Sequence, residues 1–466
     1  MAPTRCERWS EQEFGTAELG DERRVRRLVR VAAQAAATPG GKVTEVFSVP
    51  SAREGAFRLL ENDQVSVHEV AAAAHRAAAS RCWGHPFAFV PADGSSLNIS
   101  DHNEDKGLGV VGARSIGARG LCVMTAIAVT PDGTPMGVCG QRFWARTERA
   151  VKKGKHHDRR TVAEKETRHW IDVMAQTRVA FSREAPLTRP WFQLDRGGDA
   201  WPVLVDAIDT ESLVTVRAAH DRRLVGEIDG ERDYLWPRLQ RQRPSGSYLL
   251  EVPAGPKRQG RTAKMTVNHC RVVLEVRDIR TKKQRLVPLW AVWAHEVGTT
   301  PDGEKPIEWM LLTTFQVRDF ADAQLVVAGY ATRWRIEEMH KIWKSGACHV
   351  EDTQLRDSDH IERWATILCS VAMRILRLTY LSRTQPTIDA KVELSRSEID
   401  AVVLLRRPKG VKRGARVTIG DATKWIAELG GYTGKSSGGP PGALVIARGL
   451  RQVAPVALVL DGGEKL

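Results

Sequence analysis

Two aspartates and one charged segment carry the chemistry that this sequence offers. Asp93 follows the apolar run at 87–92, and Asp195 follows the run at 191–194. Both runs read as strands, and strand ends in an α/β sheet are where ligands and catalytic groups collect. Two carboxylates gathered there repel each other unless a hard cation lies between them. Magnesium suits such a place, because it takes oxygen ligands and completes its shell with water and substrate phosphate. A lone aspartate at a strand end more often turns or caps the chain. The segment 330–344, YATRWRIEEMHKIWK, adds a third carboxylate. On a helix advancing about 100° per residue, Tyr330, Arg333, Glu337 and Lys344 fall within about 60° of one another. That face offers one carboxylate, two cations and a phenol. Glu337 would bind an ion, while Tyr330, Arg333 and Lys344 would hold phosphate oxygens. An exposed, salt-bridged helix face is the competing reading of the same residues.

The elements that must position these groups follow from pattern. Residues 1–70 read as mostly helical. Within them Asp21-Glu22 opens a helix with Arg23, Arg24, Arg26, Arg27 and Arg30 interleaved with Val25, Leu28 and Val29, apolar on one side and basic on the other. From residue 86 the pattern becomes α/β. Strands are expected at 87–92, 121–129, 136–144, 191–194 and 213–217, with helices at 161–181 and 199–208. Residues 222–305 interrupt this rhythm with strand-like pieces and few helical signals, and read as an inserted β subdomain. A core strand resumes at 307–314. Long helices are expected over 319–345 and 358–383. The tail contains a basic segment, RRPKGVKRGAR, at 406–416.

Composition narrows the class. The chain has 466 residues, a formal charge of +14 and a pI near 9.6, a balance that favours a polyanionic partner. Its seven cysteines are scattered without a CxxC pair, which suggests neither a zinc site nor a disulfide framework. The charged start lacks a signal-peptide core, and no uninterrupted apolar run of membrane-spanning length is present, so no membrane partner and a cytoplasmic, nucleoid-associated location are expected.

On these residues the chain resembles the DDE transposases of bacterial insertion sequences, in the group that includes the transposon-five transposase. YATRWRIEEMHKIWKSGA is similar to that group's Tyr-x2-Arg-x3-Glu-x6-Lys signature, at Tyr330, Arg333, Glu337 and Lys344. Asp93 in PADGSSLNIS and Asp195 in LDRGGDAWPVL resemble its two catalytic aspartates. The family often has Glu-Ala where this chain has Gly197-Gly198. FGTAELGDERRVRRLVRVAAQ at 14–34 and SAREGAFRLLEN at 51–62 resemble its end-binding domain, PIEWMLLTT at 306–314 a segment whose Trp stacks on a flipped base, and Arg217 in VTVRAAH a DNA-contacting arginine.

The resemblance implies an α/β, ribonuclease-H-like catalytic core at 71–375, carrying the β insertion. A helical end-binding domain at 1–70 would use Arg23, Arg24 and Arg27. A mainly helical dimerisation region would occupy 376–466. Asp93, Asp195 and Glu337 would hold two Mg²⁺ ions, with Mn²⁺ as substitute. Tyr330, Arg333, Lys344 and Arg217 would bind DNA phosphates, and Trp309 would stack on the flipped base. The implied activity is cut-and-paste transposition: end nicking, hairpin formation and opening, and strand transfer. Its partners would be double-stranded transposon ends, target DNA and a second copy of the chain. A plain metal-dependent nuclease and an inactive end-binding regulator are the alternatives.

Overall fold

The structure is a computed structural model that describes residues 7–112, 117–146, 165–228, 231–252, 254, 259–277, 281, 283–434 and 439–463. The basic stretch at 151–160 and the expected helix start at 161 lie outside them.

The chain begins with helices α1 (Glu7–Phe14), α2 (Glu22–Ala37), α3 (Val43–Val46), α4 (Pro50–Leu60) and α5 (Val67–Ser80). Asp21 caps α2 by accepting the Arg23 N–H, and Ser66 caps α5 by accepting that of Glu69. Next come β1 (Phe87–Asn98), β2 (Gly109–Val110), β3 (Arg119–Val129), β4 (Pro135–Trp144), α6 (Arg168–Glu184), β5 (Arg189–Leu194), α7 (Trp201–Asp209) and β6 (Leu213–Arg217). The expected insertion contains β7 (Arg223–Ile228), β8 (Glu231–Tyr234), α8 (Leu235–Gln240), β9 (Gly246–Val252), β10 (Arg261–Arg277) and β11 (Gln284–Val297). After β12 (Glu308–Thr313) the chain is helical: α9 (Phe320–Ala331), α10 (Trp334–Lys344), α11 (Ser358–Thr384), α12 (Arg396–Arg406), α13 (Ile419–Leu429) and α14 (Ala443–Gly463).

The strands form one mixed sheet in the order β2-β3-β1-β5-β6-β12-β11-β10-β7-β8, with β4 beside β3 and β9 beside β10. The central trio β1, β5 and β6 is parallel. Helices cover both faces, so these strands are apolar on both sides. Phe89 of β1 and Trp191 of β5 enter one core, while Ala88, Val90, Ala92, Phe192 and Leu194 enter the other.

Four expectations change. β1 does not stop before Asp93. Its antiparallel partner β3 keeps pairing from Asp93↔Thr125 to Asn98↔Gly120, after the parallel ladder with β5 has ended at Ala92↔Leu194. The polar GSSLN stretch hides that extension in the sequence. The insertion extends the main sheet, since β11 pairs with β12, which pairs with β6. The single helix expected over 319–345 is two. Thr332 and Arg333 hydrogen-bond to the third residue back, at Gly329 and Tyr330, each 3.0 Å, and the Thr332 hydroxyl also donates to the Gly329 carbonyl at 2.6 Å. Finally, the expected boundary between 375 and 376 falls inside α11, a largely buried helix.

α11 also ties the ends of the chain together. Arg363 donates to the carbonyls of Leu60 and Val65, and Trp364 Nε1 to that of Gly41. On its other side Arg374 pairs with Glu398 of α12. Among the described residues α11 and α14 are each long and apolar enough to cross a membrane. α11 is a largely buried core helix of this fold.

α9 approaches β1 closely at Gly329, where an added Cβ would lie 2.5 Å from the Phe89 ring. Gly329→Ala should cost roughly 1–3 kcal/mol through overpacking. Chemical denaturation measures this, and an unchanged midpoint would contradict the packing described.

Candidate active site

The parallel register sets Ala92 opposite Leu194, so Asp93 and Asp195 are the next residues of two adjacent strands. Side chains alternate along a strand. Asp93 therefore shares the face of Phe89, and Asp195 that of Trp191, which is the face covered by α9 and α10. Asp93 Oδ1 accepts the Gly94 N–H at 2.8 Å, and Asp195 Oδ1 accepts that of Gly197 at 2.7 Å. The latter bond caps a short 3₁₀ turn, Arg196–Gly198. Gly198 lets this turn fold back, because a Cβ there would lie 2.7 Å from Leu194 Cβ.

Arg333, between α9 and α10, completes the cluster. Its Nη1 donates to Asp93 Oδ2 at 3.1 Å and its Nη2 to Glu337 Oε1 at 2.5 Å. One guanidinium thus bridges two of the three expected carboxylates. Burial disfavours its charge, but Asp93, Tyr330 and Glu337 more than offset this and raise its pKa. Burial lifts the Asp93 carboxyl from 3.8 to about 6, and the Asp195 charge adds to the shift against the pull of Arg333.

The other expected residues fall into three places. Tyr330 is buried; burial raises the pKa of its hydroxyl, against the opposing pull of the neighbouring Arg333 and Arg217 charges. Trp309 packs edge-to-face on Tyr330, with ring centroids 5.7 Å apart. Arg217, at the end of β6, also donates to the Glu308 carbonyl at 2.9 Å. Lys344 lies about two turns beyond Glu337 and pairs with Glu351 at 3.4 Å. Glu351 in turn accepts the Asn98 N–H at the far end of β1. Arg23, Arg24 and Arg27 lie on α2, outside this cluster. Arg23 pairs with Asp21, and Arg24 donates to the Leu19 carbonyl.

Sequence reasoning passed over one feature. Trp334 is 55% exposed at the start of α10, with the Arg333 guanidinium 5.8 Å from its ring centre. Its signal was available, as an aromatic residue inside the charged motif. Asp199 is buried and pairs with Arg222 at 2.7 Å while accepting the Ala219 N–H. It anchors the chain leaving β6.

Among the described residues, no three His, Cys, Asp or Glu side chains converge closely enough to hold a metal ion as they stand. The donor set nonetheless fits a hard cation. It consists of carboxylate oxygens, and burial, with the neighbouring Asp195 charge adding to it, lifts the Asp93 pKa. Arg333 supplies positive charge beside Asp93 and Glu337.

Crowded carboxylates beside guanidinium groups define a site suited to phosphodiesters. Comparison with known families agrees. Residues 6–65 match a transposase DNA-binding domain, and residues 137–374, just over half of the chain, match a transposase DDE domain. The chain belongs to the DDE-domain transposases. This makes DNA its partner and strand cleavage and joining its class of chemistry, in domains that generally use divalent metal ions. The matched DDE segment contains Asp195 and Glu337 and begins after Asp93.

The raised pKa of Asp93 has a consequence for stability. The folded state holds this proton more tightly than the unfolded chain does. Stability from this group is therefore full below the unfolded value of 3.8 and is lost as pH rises through about 6. The difference is worth on the order of 3 kcal/mol. In chelator-treated protein, Asp93→Asn should melt above the parent at about pH 8, with the gap closing below about pH 4. A constant gap across that range would contradict the shifted carboxyl.

Proposed function

We propose that the protein moves a DNA element by cut-and-paste transposition, as a relative of the transposon-five transposase with a ribonuclease-H-like core. The observation that carries this reading is the strand register that makes Asp93 and Asp195 neighbours, with Glu337 joined to Asp93 through Arg333.

Asp93, Asp195 and Glu337 would hold two Mg²⁺ ions, or Mn²⁺ in their place. When bound, such ions neutralise phosphodiester oxygens and lower the pKa of an attacking water or 3′-hydroxyl. The chain's own residues do the rest. Arg333 exchanges its carboxylate partners for a DNA phosphate, which frees Asp93 and Glu337. Tyr330, with the Arg217 charge beside it, and Lys344 farther along α10 fix the neighbouring phosphates. Half-buried Trp309, against Tyr330, offers its ring to a flipped terminal base, offsetting part of the unstacking cost of a DNA hairpin. Exposed Trp334 is a second aromatic surface beside Arg333. One site then performs nicking, hairpin formation, hairpin opening and strand transfer in succession.

In this reading residues 1–70 recognise element ends, with Arg23, Arg24 and Arg27 on the basic side of α2. Residues 71–375 cut and join, and 376–466 pair two copies of the chain. The protein works on the nucleoid.

The test is incubation with the inverted repeats flanking its own gene, with and without Mg²⁺, followed by end mapping. Asp93→Asn, Asp195→Asn and Glu337→Gln should each lose nicking and strand transfer while still binding ends. Trp309→Ala should nick but accumulate little hairpin. Cleavage retained by any of the three carboxylate variants would sink the assignment.

A further inference from the structure

The loop RRPKGVKRGAR, residues 406–416, leads out of α12 with six cations and no acid. All six cations are exposed. Arg406 pairs with Glu428, Arg413 with Asp400 at 3.7 Å, and Arg416 with Asp389 at 3.6 Å. Arg407, Lys409 and Lys412 have no ion-pair partner among the described residues.

The backbone beneath these charges is held in place. Buried Asp400 accepts the Gly414 N–H at 3.1 Å, and Arg396, itself paired with Asp400, donates to the Ala415 carbonyl at 3.1 Å. Arg407 ends α12 in a left-handed conformation, φ 50° and ψ 52°. Glycine or asparagine is the usual residue at such a cap. Pro408 follows, and a proline ring disfavours helical conformations in the residue before it. An exposed arginine without an ion partner therefore occupies a position that glycine would relax. Strain of this kind is retained where a side chain has work to do.

The loop contains no aromatic residue, so it has nothing on which to stack unpaired bases. Dense cations on a fixed backbone suit the regularly spaced phosphates of a duplex. We propose that the 406–416 loop is a second DNA-contacting surface, gripping the backbone of duplex DNA other than the stretch bound by the domain at 6–65. This rests on the family's DNA partnership and not on the roles given to Asp93, Asp195 and Glu337. Failure of the triad assignment would leave it intact.

The test uses full-length protein, a short random-sequence duplex and a salt series read by fluorescence anisotropy. The triple variant Arg407→Gln, Lys409→Gln, Lys412→Gln should bind at least about tenfold more weakly at low salt, with a salt slope shallower by about 2–3. Arg407→Gly separates function from folding. It should melt above the parent, because strain is relieved, yet bind the duplex more weakly, with a slope shallower by about 1. Unchanged slopes in both variants would overturn the proposal. So would an unchanged DNA slope accompanied by lost binding to phosphatidylserine vesicles, which would assign the loop, beside exposed Leu404 and Leu405, to a membrane surface.

Discussion

Repulsion between Asp93 and Asp195 is the constraint around which the catalytic region is organised. The parallel pairing of β1 with β5 makes the two residues neighbours, and side-chain alternation turns both toward α9 and α10. Burial makes the repulsion costly, as the raised pKa of Asp93 records. The fold answers with Arg333, whose guanidinium reaches Asp93 and Glu337 together. A group that tolerates two carboxylates only beside positive charge is prepared for a cation and for an anion bound to that cation. This is the electrostatic requirement of phosphodiester chemistry.

The surrounding fold serves that cluster. Gly329 lets α9 lie against Phe89, which brings Tyr330 and Arg333 over the strand ends. The tight turn at Thr332 and Arg333 separates α9 from α10, so Arg333 belongs to a junction rather than to a helix interior. The strands beyond β6 extend the same sheet and carry Trp309 to the side of Tyr330. α11 packs beneath, and its polar side chains hold the N-terminal helices and α12. The helices of the DNA-binding domain and the main sheet are thereby mechanically continuous.

Much of this was legible in the residues, and the exceptions have physical causes. The apolar runs before Asp93 and Asp195 announced strands, and the motif from Tyr330 to Lys344 announced a helical segment whose Glu337 lies one guanidinium from Asp93. The true length of β1 was hidden because its last residues are polar and pair only with β3. The break at Thr332–Arg333 was hidden because neither Gly nor Pro marks it; a threonine hydroxyl and tightened backbone bonds make it. The union of the insertion with the main sheet is a long-range pairing that local pattern does not encode. The bridging role of Arg333 depends on the register of two strands more than a hundred residues from it in sequence.

The most direct test is the anomalous scattering of Mn²⁺ in crystals of the protein bound to a cut element end. Manganese should lie at about 2.1–2.2 Å from carboxylate oxygens of both Asp93 and Asp195, with Arg333 displaced onto a DNA phosphate. Manganese bound elsewhere, while Arg333 still bridges Asp93 and Glu337 in a complex competent for cleavage, would contradict the account.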